Sequence, residues 1–101
     1  YEKVCIEKGR VDIKAKTKAG KWHFFEIKTD NPKICIRTAL GQIMEYAYWP
    51  DIERAERLII VGNDILDFET KRYMEYIRGR FGIPVYYRSL DINKQTLSKD
   101  Y

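Results

Sequence analysis

Two cysteines and three prolines are all that this 101-residue chain has of the residues that staple or break a fold. Cys5 and Cys35 are too few for a disulfide framework and lack the paired spacing of a zinc site. That excludes the small disulfide-rich and zinc-ribbon classes and leaves free thiols in a reducing compartment as the expectation. No apolar run approaches the ~20 residues that a bilayer crossing needs, and no signal-peptide pattern opens the chain. A cytoplasmic protein with no membrane partner is therefore expected. The sequence has a single histidine, His23, and contains no internal repeat, low-complexity tract, helix-turn-helix or zinc finger.

What is present is core-forming material and charge. Hydrophobic residues make up 45% of the chain and aromatics 14%, which excludes disorder as the default state. The length fits one domain with one modest core. A formal charge of +4 and a pI near 9.1 fit a polyanionic partner.

The order of patterned segments limits the architecture. Residues 3–7, 10–16 and 21–29 read as three short strands, with Gly9 and Gly20 at the turns, hence an antiparallel three-stranded meander. Asp30-Asn31-Pro32 ends the third strand. A helix is expected over 36–49, stopping at Trp49-Pro50 because proline disfavours helical geometry in the residue before it. The continuous apolar run Leu58-Ile59-Ile60-Val61 predicts a central strand buried on both faces. A second helix over 68–81 is expected to use Tyr73, Ile77 and Phe81 at helical spacing and to stop at Gly82. Val85-Tyr86-Tyr87 forms a last strand, and 91–101 reads as a polar, partly ordered tail. The expectation is an α/β fold: the meander followed by α-β-α-β around one mixed sheet, with residues 1–90 as the domain.

Charge inside two of these strands needs a reason. Asp12 stands in Val11-Asp12-Ile13, and Glu26 and Lys28 in Phe24-Phe25-Glu26-Ile27-Lys28. Alternation along a strand places Glu26 and Lys28 on one face and Phe25 and Ile27 on the other. Two crowded carboxylates repel unless a divalent cation neutralises them or one takes a proton, and a lysine beside them can steer a water or stabilise charge on a phosphate. Each residue also has a structural reading. Asp12 could bond backbone amides at a turn, Glu26 and Lys28 could form a solvated surface pair, and His23, on the opposite face of the same strand, is expected to be structural.

The Asp strand followed by Glu26-Ile27-Lys28 resembles the PD-(D/E)xK nuclease superfamily, with Val11 where that family usually has proline. Gln42-Ile43-Met44-Glu45-Tyr46, on a helix where Thr38, Gln42 and Tyr46 share a face, is similar to the Gln-x-x-x-Tyr motif of its RecB-like and Cas4-like branch. The resemblance implies a restriction-endonuclease-like core that lacks its opening helix, as in a fragment of a larger protein whose other domains would be partners. Glu7 is the residue that could replace the acidic group that helix often supplies.

It further implies a Mg²⁺- or Mn²⁺-dependent nuclease of restriction, defence or repair type, acting on DNA, with RNA as the second substrate and a homodimer left open. Asp12, Glu26 and the Ile27 carbonyl would hold the metal and Lys28 would serve the attacking water. Gln42 and Tyr46 would position the backbone, with core packing as the other reading of Tyr46. Of the scattered basic residues, Lys33 and Arg37 are the best placed for phosphate contact. The alternative function is a catalytically silent nucleic-acid-binding or assembly module of the same fold.

Overall fold

The computed structural model describes residues 1–6, 13–49 and 55–101. Their elements run β1 (Lys3–Ile6), β2 (Ile13–Lys16), β3 (Trp22–Ile27), α1 (Pro32–Tyr48), β4 (Arg57–Gly62), α2 (Phe68–Phe81), β5 (Val85–Asp91) and β6 (Thr96–Leu97). The six strands lie in one sheet in sequence order. β1, β2 and β3 pair antiparallel, β3, β4 and β5 pair parallel, and β6 returns antiparallel to β5. This is an α/β protein with a mixed sheet, and the first three strands form the expected meander.

Local chemistry accounts for the elements. Gly20, at φ 81, closes the β2–β3 hairpin, where its N–H donates to the Thr17 carbonyl at 2.9 Å. α1 begins at Pro32, four residues earlier than the periodicity predicted, because Asn31 caps it. The Asn31 side chain accepts the Ile34 N–H at 3.1 Å, and proline suits a first turn that needs no amide donor. The helix ends where expected, with Trp49 as an extended C-cap residue. α2 is capped by Asp67, which accepts the Thr70 N–H at 2.7 Å, and terminated by left-handed Gly82 at φ 67.

Parallel neighbours require crossovers, and two right-handed crossovers stepping the same way across a sheet place both helices on the same face. Cys35, Ile36 and Ala39 of α1 and Met74 and Ile77 of α2 accordingly share a core with Ile60, Val85 and Tyr87, and Ile43 and Ala47 continue it onto Phe24 and Leu58. The opposite face packs Ala15, Phe25, Ile59 and Val61 against one another within the curled sheet. Leu58, Ile59 and Ile60 are wholly inaccessible and Val61 nearly so, as the uninterrupted apolar run predicted.

Three further expectations are corrected. The buried stripe of α2 is Thr70, Met74 and Ile77, whereas Tyr73 and Phe81 face solvent. The last strand extends to Asp91. The 91–101 segment is held along the sheet: β6 pairs with β5, the Tyr101 N–H donates to the Tyr87 carbonyl at 2.9 Å, and Asp100 bridges two strands. Its carboxylate accepts from Arg57 of β4 at 2.5 Å and from Arg88 of β5. Arg57 also stacks over the Tyr86 ring at 4.4 Å, and Arg78 of α2 reaches the same ring at 4.7 Å.

Burial alone would raise the Asp100 carboxyl. The bonds from Arg88 and Arg57 outweigh it and hold the group below the usual carboxylate range. A depressed folded-state value gives stability that is present above the unfolded value of about 3.9 and lost as pH falls through the folded value. Asp100→Asn is expected to lower stability by about 1–3 kcal/mol at neutral pH. Urea titrations of variant and wild type should converge as pH is taken below the carboxylate range, and a gap that stays constant with pH would remove the ionic explanation.

Candidate functional site

The three parallel strands run toward one edge of the sheet, and both helices start there. Glu26 is the penultimate residue of β3. Its side chain shares the helix-covered face with Phe24 and is only 4% exposed. Lys28 lies one residue past β3, but its backbone N–H still donates to the Val61 carbonyl at 2.9 Å, so the ladder with β4 fixes its position. Its Nζ stands 3.9 Å from Glu26 Oε2. The expected same-face pair is therefore present, and the reading of Glu26 as part of a solvated surface pair does not hold.

Burial gives the pair an energetic meaning. Removing a carboxylate from water costs several kcal/mol after relaxation, and a cation at about 4 Å returns about 4 kcal/mol at an effective dielectric constant near 20. Lys28 remains partly in water, with its side chain about a quarter exposed, which reduces that return.

The same edge carries further polar groups. Asp30 follows Lys28, and its carbonyl accepts from the Cys35 thiol at 2.9 Å. Burial pushes the Cys35 thiol up, and the carboxylates of Asp30 and Asp64 add to this against the opposing thiol bond to the Asp30 backbone, so Cys35 behaves as a core residue. At the end of β4, Gly62 admits the Tyr87 ring. A Cβ at that position would stand 2.2 Å from the Tyr87 hydroxyl, which itself donates to the Asp64 carbonyl at 2.8 Å. Desolvation is the main cause that pushes the Tyr87 hydroxyl up to about 12, so it stays a neutral donor that pins the loop after β4.

Not every expected residue joins this edge equally. Asp12 and Glu7 lie outside the described residues, and the β2–β3 register is described as far as Ile13 opposite Phe25. Ile27 alternates to the opposite face, as strand geometry requires. Gln42 is exposed on α1, Tyr46 is half-buried and packs on the Phe24 cluster, and Thr38 donates its hydroxyl to the Ile34 carbonyl at 2.9 Å. Lys33 and Arg37 project from the first turns of α1 into a cleft shared with α2.

His23, on the opposite face of β3, is buried and engaged at both ring nitrogens. Its Nδ1 meets the Tyr1 hydroxyl at 2.7 Å and its Nε2 the Glu56 carboxylate at 2.9 Å, which a tyrosine donating to Nδ1 and an Nε2–H donating to the carboxylate satisfies. Among the described residues no group of three His, Cys, Asp or Glu side chains is placed to hold a metal ion. Also among the described residues, no helix is long and apolar enough to cross a membrane.

Sequence reasoning gave the α2 side of this edge no role in the site: it did not single out Asp67, Glu69 and Thr70, and it assigned Tyr73 to the packed face of the helix. Its signal was available in Asp67 three residues before Thr70 at the start of an amphipathic segment, a capping pattern that places the first turn of α2. No family model matches the chain, and neither a curated protein nor a solved structure matches it.

Replacing the Glu26–Lys28 pair as a unit should not cost stability. The double variant Glu26→Leu/Lys28→Met is expected to unfold at the same or a higher urea concentration than wild type, because replacing a buried ion pair by packed apolar side chains is often neutral or stabilising. A loss above about 1 kcal/mol would assign the pair a structural role.

Proposed function

We propose that the chain is a metal-dependent nuclease that hydrolyses phosphodiester bonds, with DNA as substrate and a PD-(D/E)xK-type site. The observation that carries this reading is the buried Glu26 with Lys28 Nζ 3.9 Å away, at the carboxyl edge of a parallel strand pair where open α/β sheets bind ligands. The basic side chains of Lys33 and Arg37, in the first turns of the helix that follows β3, give a polyanion something to bind.

The donor set suits a hard divalent cation in kind, with Glu26, the Ile27 carbonyl and Asp12 as ligands. When bound, such a cation would supply Lewis acidity to the phosphate and lower the pKa of a coordinated water. Lys28 would orient the water and hold negative charge that builds on the phosphate oxygens. The water oxygen bonds to phosphorus, the bond from phosphorus to one ester oxygen breaks, and the proton lost by water ends on the departing alkoxide. Gln42 and Tyr46 would hold the backbone beside the scissile phosphate. Lys33 and Arg37 would neutralise neighbouring phosphates without reading sequence.

The test is cleavage of labelled single- and double-stranded DNA, with an RNA arm, in Mg²⁺ or Mn²⁺. Glu26→Gln, Lys28→Ala and Asp12→Ala should each reduce the rate by about a hundredfold or more while the circular dichroism spectrum is kept. Unchanged rates in Glu26→Gln would move the chemistry elsewhere. Absence of cutting together with absence of metal binding by calorimetry would favour the silent binding module.

A further inference from the structure

Between α1 and the start of α2 lies an open cleft of about 410 Å³, a size that suits a small organic group such as one nucleotide. Its floor is Ile36 and Thr70, both buried. Its walls are unlike each other: Lys33 and Arg37 on the α1 side, Tyr73 and Glu69 on the α2 side. Asp67 also borders the cleft, but its carboxylate accepts from Thr70, and those bonds hold the carboxyl below its ordinary value. It acts as a fixed cap on which Lys33 also acts, and the Glu69 carboxylate lies on the same wall as Tyr73, so the phosphate-binding side of the cleft is the α1 side with Lys33 and Arg37.

The aromatic wall continues beyond the cleft. Tyr73, Tyr76 and Arg80 follow one another at i, i+3 and i+7 along the outer face of α2, so they form one stripe. Tyr73 is 49% exposed and Tyr76 57%. Tyr76 is held edge-to-face against Phe81, with centroids 6.0 Å apart. On the flank of the same helix Arg72 lies over the Phe68 ring at 5.9 Å. At 1.5 Å rise per residue, Tyr73 and Tyr76 are about 4.5 Å apart along the helix axis.

Exposed rings interleaved with cations suit a ligand that offers flat faces and regular negative charge. A dry protein interface would keep charge out of its centre. A duplex offers charge but hides the faces of its bases, whereas an unpaired strand offers both. We propose that this cleft and stripe hold an unpaired nucleic-acid strand. One nucleotide sits in the cleft with its phosphate on Lys33 and Arg37 and its base on Tyr73, and the next base stacks on Tyr76. This deepens the nuclease reading by naming the form of its substrate, and it rests on that reading for the strand's course toward Lys28.

The experiment is fluorescence anisotropy with a labelled oligo-dT twelve-mer, an oligo-U twelve-mer and a DNA hairpin duplex of equal charge, in EDTA so that no strand is cut. The wild-type chain should bind an unpaired strand at least tenfold more tightly than the duplex, and the dT and U arms tell which sugar is preferred. Tyr73→Ala and Tyr76→Ala should each weaken strand binding about tenfold, and Tyr73→Phe should restore it, since the ring face is what stacks. Lys33→Gln and Arg37→Gln should each reduce the slope of log affinity against log salt by about 0.7. Both tyrosines are exposed, and an unchanged melting temperature would show that the variants fold.

Equal or tighter duplex binding would overturn the proposal, as would Tyr73→Ala binding like wild type or no strand binding at low salt. A chain that binds strands in this pattern yet never cuts would remove the nuclease reading and leave the strand site standing. A chain that cuts while Tyr73→Ala changes nothing would remove the strand site alone.

Discussion

β4 is hydrogen-bonded in parallel on both of its edges, to β3 and to β5, and most of the molecule's arrangement is a consequence of that pairing. A parallel partner cannot be reached by a tight turn, so each pairing demands a helix, and the shared hand of the two crossovers puts both helices on one face. Strands that run in one direction end at one edge, and the helices that follow them begin there. Glu26, Lys28, Lys33, Arg37, Asp64 and Asp67 therefore lie along one edge although forty residues separate the first from the last. The apolar composition of Leu58–Val61 makes this possible, because only a strand buried from both sides can occupy the centre.

Charge is handled in two ways on the two sides of the sheet. On the side away from the helices the ions are arranged as a closed set. Asp100 joins Arg57 and Arg88, Arg57 stacks on Tyr86, which Arg78 reaches from α2, and His23 is held between Tyr1 and Glu56. These groups tie the first and last residues of the chain to the middle of the sheet. At the carboxyl edge the cations of Lys33 and Arg37 instead face an open cleft. The first pattern serves folding and the second leaves room for a ligand.

How much of this was legible in the sequence varies with how local the cause is. The meander, the two helices, the central strand and the shared face of Glu26 and Lys28 follow from periods of two and 3.6, which any reader of residues 22–28 or 58–61 can count. The capped start at Asn31-Pro32 was passed over because that proline was taken as a strand stop, although a first helical turn accepts it. The stripe of α2 was misassigned because tyrosine and phenylalanine outrank threonine and methionine as core candidates, and only the angle at which the helix meets the sheet selects Thr70, Met74 and Ile77. The role of the last residues was hidden for a different reason. Asp100 is one polar residue among many until the fold brings Arg57, forty-three positions earlier, beside it. Pairings over such distances leave no periodic trace in a single sequence.

The contact between Gly62 and Tyr87 carries an implication for sequence change. With a Cβ at position 62 only 2.2 Å from the tyrosine hydroxyl, the two positions share a single volume and are not free to vary independently. A relative that gains a side chain at the end of β4 would have to give up the large aromatic in β5, and with it the bond to the Asp64 carbonyl that shapes the loop toward α2. Paired substitution at two sites twenty-five residues apart would then be a heritable signature of this edge, readable from alignments even where the charged residues differ.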